Sequence, residues 1–224
     1  MAGGFVVPRL PWRERLAERL ARCVTGLAVF GVGISMQMTA GLGSPPWDVF
    51  HQGVSARTGV SVGRVIILTG ACLMMLWVPL RQRPGLGTVL NAVEIGLVAD
   101  VALGVLETPD SMAARIGMMV GGIVLTGAGT GLYIGSALGP GPRDGLMTGI
   151  AARGVSIRLA RTVIEVTVLV VGWRLGGTLG VGTLLFAVSI GPLAQYFLPR
   201  LAMRPSGDAA GGAAGDAAGR GGAA

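Results

Sequence analysis

Two aspartates at equivalent places carry most of the chemistry this sequence offers. Asp48 lies in GLGSPPWDVFHQGVSARTGV, residues 41–60, and Asp144 in ALGPGPRDGLMTGIAARGV, residues 137–155. Each follows a proline by two positions (Pro46, Pro142) and a glycine by five (Gly43, Gly139). Proline at the first helical position and an acid in the first turn mark a helix start. Gly59 and Gly154 would end these helices. From Trp47 to Thr58 there are about twelve residues, Arg57 among them, too few to cross a bilayer. A carboxylate at such a start does one of two jobs. It caps the free N–H groups of its own first turn, or it holds a cation or proton in a pathway, and both stay open. His51, the only histidine, follows Asp48 by three residues and could share its face; it reads as incidental.

Further candidates sit inside apolar segments, where an ionisable group is costly and usually faces a bundle interior. Glu94 has Asn91 one turn before it, so both can point the same way, and Glu165 has Arg161 four residues before it, spaced to pair. Asp48, Asp144, Glu94, Glu165 and Asn91 are therefore the expected substrate or ion pathway, with Pro46, Pro142, Gly43 and Gly139 shaping the breaks. Nothing resembles a nucleophile elbow, a phosphate loop or a spaced histidine pair. Cys23 and Cys72 have no CxxC and no nearby histidine. No enzyme, no metal site and no cofactor are expected.

The elements that must position these residues are apolar. The chain has 224 residues, a mean hydropathy of +0.68 and 13% charged residues, against about 25% in soluble domains. Six apolar segments run over residues 23–40, 60–80, 87–106, 114–136, 159–175 and 179–198. The expected fold is all-α, a polytopic transmembrane helix bundle of about six spans. Residues 1–22 form a basic leader or interfacial helix, with Trp12, Leu16 and Leu20 on one face. Residues 205–224, rich in Ala and Gly, form a tail expected to be disordered.

All the basic residues are arginine, and the net charge is +7. With the N-terminus in the cytoplasm, fourteen arginines fall inside and four outside, so both termini are expected to be cytoplasmic, in a bacterial cell membrane. The arginines flank apolar runs rather than line a groove, so no nucleic acid is expected.

At an offset of 96, Gly26, Gly31, Gly33, Leu42 and Gly43 match Gly122, Gly127, Gly129, Leu138 and Gly139. The match continues through both breaks, where Thr58 alone has no counterpart, and carries on at an offset of 95 to align GLGT, residues 85–88, with GVGT, residues 180–183. Residues 23–106 and 114–201 are thus two repeats. Three spans in each would insert the second upside down, the plan of many transporters, in which broken helices lie at the substrate site.

The segments GLGSPPWDVFHQG, GLYIGSALGPGPRDGLMTG and GVGT resemble the YczE-type bacterial integral membrane proteins, which are more distantly related to the YitT family. The resemblance is closest to actinobacterial members and covers roughly residues 22–201. It implies a multi-pass inner-membrane protein with no assigned activity, so it transfers no catalytic residue. The expected function is a transporter-like or channel-like carrier of a small solute; the alternative is a non-transporting accessory or scaffold protein. The expected partners are the lipid bilayer and a small-molecule solute, with a second copy of the chain or another membrane protein left open.

Overall fold

The computed structural model describes Pro11 and residues 14–203, and these form eight helices and no strand. In order they are α1 (Leu16–Ala40), α2 (Pro46–Thr58), α3 (Val62–Trp77), α4 (Leu86–Val105), α5 (Met112–Gly135), α6 (Pro142–Ala151), α7 (Ile157–Arg174) and α8 (Val181–Leu201). The all-α class expected from the apolar pattern is the class observed. The two breaks are the short helices α2 and α6, each opening on its proline. Gly59 ends α2 in the left-handed conformation (φ 72°), its N–H bonded to Ser55 O. α6 stops at Ala151, and a turn carries the chain to Gly154 (φ 92°).

Two expectations change. α1 already begins at Leu16, so residues 16–22 continue the first long helix. Residues 1–10, Trp12 and Arg13 of the leader, and the tail, lie outside the described residues. Among the described residues, four helices are long and apolar enough to cross a membrane (α1, α4, α5 and α8), and a fifth span arises if α2 and α3, bent by 114°, count as one. The shortfall from six has a simple cause. α3 has only 16 residues, and the 18 of α7 include Arg158, Arg161, Glu165 and Arg174.

The centre is the antiparallel pair α1 and α5, which approach through glycines. Gly26 stacks on Gly129 and Gly33 on Gly122; a Cβ on Gly33 would lie 2.8 Å from Gly122 O. Small residues permit this approach where lipid removes the usual drive for apolar burial. α4 packs on α1 and α8 on α5, again at matching positions: Gly31 meets Val98, and Gly127 meets Leu193. Gly127, Gly131 and Gly135 meet Leu193, Phe197 and Ala202 in that order, so α5 and α8 run parallel. Arg22 Nη1 donates to Leu201 O at 3.1 Å, which joins the start of α1 to the end of α8 at one end of the bundle.

Each repeat holds the other by the same contacts. Arg19 donates from Nε to Ser136 O (2.9 Å) and from Nη2 to Ala137 O (2.8 Å), beyond the C-terminus of α5. Arg115 donates from Nε to Ala40 O (2.7 Å) and from Nη2 to Gly41 O (3.1 Å), at the C-terminus of α1. An offset of 96 converts one clamp into the other. Both satisfy carbonyls that a helix end leaves without an internal partner. Similarly, Gly87 N–H donates to Leu138 O (2.9 Å) and Gly182 N–H to Leu42 O (2.8 Å). The GLGT start of α4 thus seats the second break, and the GVGT start of α8 seats the first.

The halves differ in how α3 meets α4 and α7 meets α8. Gly63 of α3 lies against Gly96 of α4, and Asp100 accepts from Ser61 Oγ and Gly63 N, both at 2.6 Å. The matching residues are Arg158 on α7 and Gly191 on α8, and a Cβ on Gly191 would meet nothing within 4 Å. α3 and α4 are packed along their lengths, whereas α7 and α8 are not. An arginine in place of a glycine removes the close approach.

Candidate functional site

The starts of α2 and α6 converge in the interior. Their elements are positioned by the glycines of the breaks. Gly43 (φ 115°) and Gly139 (φ 128°) adopt the left-handed region, where a side chain is strained. Each also fits tightly, since a Cβ would lie 2.7 Å from Gly180 N in one case and 3.0 Å from Thr88 Oγ1 in the other. Thr88 Oγ1 donates to Pro140 O at 2.8 Å, tying the second break to α4.

Between the two helix starts lies a cavity of about 280 Å³. Asp48, Asp144, Glu165, Asn91, Pro46 and Pro142 line it, so six of the nine residues singled out from sequence come together. Gly43 and Gly139 stand behind it as described. Glu94 does not belong: it is half-buried on α4 and absent from the wall, although Asn91, three residues earlier, is in it beside Gly141. The helical face shared by Asn91 and Glu94 is wider than the strip that reaches the cavity.

Asp48 is 1% exposed and His51 is fully buried. His51 Nδ1 lies 3.3 Å from Asp48 Oδ1, and since a carboxylate only accepts, Nδ1 carries the hydrogen. Asp48 Oδ2 and His51 Nε2 have no partner in the protein. Buried polar atoms left this way are rare and call for a water, an ion or a ligand. Asp48 makes no side-chain cap on α2, whose N-cap is Pro45. Asp144 behaves differently: it accepts from the backbone of Gly141, the N-cap of α6, and from Tyr133 Oη at 3.2 Å. The capping role considered for both aspartates therefore applies to Asp144 alone, and His51 is built into the site rather than incidental to it.

Arg143 bridges the two starts. Its Nη2 is 4.0 Å from Asp48 Oδ1, and its guanidinium stacks 5.0 Å above the Trp47 ring. Arg161 Nε donates to Glu165 Oε1 at 2.9 Å, the expected pairing within α7, on an exposed stretch of the cavity wall. The wall thus carries three carboxylates (Asp48, Asp144, Glu165) against two guanidiniums (Arg143, Arg161). Phe30, Ile34, Ile134, Phe186, Ile190 and Ala194 make the rest of it largely apolar. Among the described residues, no three His, Cys, Asp or Glu are grouped to hold a metal ion.

Sequence reasoning did not single out Tyr133, Arg143, Arg19 or Arg115. A signal existed for the last two, because they fall in register with the 96-residue offset that the glycines reveal. Tyr133 had none, since a tyrosine in an apolar helix is indistinguishable from a core residue.

Helices long and apolar enough to cross a membrane, packed by glycine around a partly charged cavity, define a polytopic helical membrane protein. The chain matches a family of unknown function, DUF6198, over residues 17–199, and it belongs to that family. It is 38% identical over 206 residues to an uncharacterised protein of Haemophilus influenzae, covering 89% of this chain and 94% of the relative. It is 32% identical over 191 residues to the uncharacterised membrane protein YczE of Bacillus subtilis (84% and 89%), and 29% identical over 181 residues to the uncharacterised protein YyaS of the same organism (78% and 89%). The resemblance to YczE-type proteins read from the break motifs is thus upheld. No solved structure matches the chain.

Proposed function

We propose that this membrane protein is a carrier of a small solute, not an enzyme, and that its two repeats are inverted in the bacterial cell membrane. The observation that carries the proposal is the cavity between the two helix starts, where fully buried Asp48 and His51 keep unpartnered polar atoms. A scaffold needs no such site, and unpaired polar atoms there would only destabilise it. The inversion is supported by geometry. α1 and α5 are equivalent and antiparallel, so an axis exchanging them is perpendicular to both and lies in the membrane plane. Exchanged clamps at Arg19 and Arg115 are what such an axis produces. The unlike pairings, with α3 closed on α4 and α7 apart from α8, suit a carrier at rest with one half shut and the other open. The arginine bias supports a cytoplasmic position for the shared end of α1 and α8.

Sidedness tests this reading. In a chain with Cys23→Ala and Cys72→Ala, single cysteines are introduced at Ser55, Ala151 and the cavity residue Thr130. An impermeant thiol reagent is then applied to intact cells and to inverted vesicles. Ser55→Cys should react only in cells, Ala151→Cys only in inverted vesicles, and Thr130→Cys from at least one side. Labelling of Ser55→Cys and Ala151→Cys from the same side would end the inverted arrangement. A Thr130→Cys that never reacts would describe a sealed interior and end the carrier reading.

A further inference from the structure

The chemistry of the cavity goes beyond its existence and narrows what it holds. We propose that its ligand is a small amphipathic amine, bound through its ammonium to Asp48 and His51 and admitted sideways from the bilayer between α7 and α8. This inference rests on the carrier reading above.

The polar end of the ligand follows from the unpartnered atoms. Asp48 Oδ1 is engaged by His51 and approached by Arg143, whereas Oδ2 has no partner. In the neutral ring, Nδ1 holds the hydrogen and Nε2 can only accept. These two atoms are therefore acceptors, on side chains at most 1% exposed, while the third unpartnered atom of the wall, Trp47 Nε1, is a donor that the face or a lone pair of the ligand can meet. A group with several N–H donors and a positive charge answers both, while a carboxylate, which only accepts, answers neither. Charge points the same way, since three carboxylates on the wall outnumber two guanidiniums, and Arg161 is already paired with Glu165.

The apolar end follows from the rest of the wall. Phe30, Ile34, Ile134, Phe186, Ile190 and Ala194 line the cavity, and such a wall suits a ring or a short chain. A cavity of about 280 Å³ sits at the lower edge of the usual range for small-molecule sites, so the ligand is small.

The entry route follows from the unlike pairing. Arg161 on α7 and Gly191 on α8 are exposed and yet belong to the cavity wall, so the mouth lies between these helices. Outside it, α7 presents Val163 and Val166, and α8 presents Leu184 and Val188, each more than half exposed. A mouth between two helices whose outer faces are apolar and exposed opens on lipid, where an amphipathic molecule concentrates. Gly191 is the threshold, because a Cβ there would meet nothing.

The test uses the full chain in lipid nanodiscs with Trp12→Phe and Trp173→Phe, which leaves Trp47 in the cavity wall and buried Trp77 as reporters. Three bromine-bearing quenchers of like size are compared: para-bromobenzylamine, para-bromobenzyl alcohol and para-bromophenylacetate. Saturable quenching by the amine is expected, with a Kd at least tenfold below those of the other two. Asp48→Asn should raise the amine Kd at least tenfold, and Asp48→Glu should recover part of the loss. Gly191→Phe should slow the onset of quenching at least fivefold with little change in Kd. Equal affinity for all three probes, or preference for the phenylacetate, would overturn the amine assignment. An Asp48→Asn variant that elutes as wild type and binds as tightly would overturn the site, and an unchanged onset in Gly191→Phe would overturn the lateral entry. Should Thr130→Cys label while these fail, the carrier reading stands and only its ligand is wrong; should Thr130→Cys stay unreactive, both fall.

Discussion

Arg19→Ala should unfold at markedly lower denaturant than wild type, with a loss of about 3 kcal/mol or more. Arg19 is 2% exposed and serves Ser136 O and Ala137 O at once. Hydrogen bonds from a charged donor contribute about 1.5–3 kcal/mol each, and carbonyls abandoned in the interior cost more than ones that water can reach. The equivalent Arg115 makes the same two bonds from a partly exposed position. Arg115→Ala should therefore cost about 1 kcal/mol, because water or lipid headgroups can replace the guanidinium. Arg19→Lys should keep only part of the stability, since an ammonium lacks the fork that spans two neighbouring carbonyls. Reversible unfolding by dodecyl sulfate in mixed micelles measures all three. A loss for Arg19→Ala no greater than that for Arg115→Ala would mean that the buried clamp is not what joins the repeats.

The second large effect concerns the short helices. A Cβ on Gly145 of α6 would overlap the indole of Trp77, which is 1% exposed and whose Nε1 donates to Pro142 O at 3.0 Å. Overpacking a tight interior typically costs about 1–3 kcal/mol, and a rigid ring held by a hydrogen bond cannot step aside. Gly145→Ala is expected at the upper end of that range, with α6 displaced from the cavity. Trp77→Leu opens the space, so the double variant should be more stable than the sum of the single losses by about 2 kcal/mol.

The other half supplies a control. Gly172 of α7 occupies the place of Trp77, and its Cβ would strike the backbone of Phe50 in α2. Gly172→Ala should be as damaging as Gly145→Ala, but Phe50→Ala should not rescue it, because no side chain is in the way. Additive losses at Gly145 and Trp77, or rescue at Gly172, would show that α2 and α6 are not seated as described.

Much of this architecture was legible. The prolines, acids and glycines of the breaks marked α2 and α6, since helix starts and left-handed stops depend on local backbone chemistry. The repeat was legible because glycines that must touch backbone recur in register. The span count was less so: α7 has the length of a span, but its four charged residues set it apart from the other long helices. The absence of Glu94 from the cavity wall was not legible for a related reason. Periodicity says that Asn91 and Glu94 share a face, but not how wide a strip of that face reaches the interior.

What the sequence determined by itself is local or repetitive: an apolar helical chain, two broken segments, two related halves and their family. Hydropathy, capping and internal offset all act within one stretch of chain or compare one stretch with another. Only the tertiary structure decided which stretches serve each other. The GVGT start of α8 seats the first break rather than its own, and α2 packs on α7 and α6 on α3, across the repeats. His51 became a partner of Asp48, and Asp48 kept a bare oxygen while Asp144 capped its helix, although the two stand in matching motifs. Those outcomes depend on distances between residues far apart in sequence, and on which polar atoms the packed interior leaves without a neighbour.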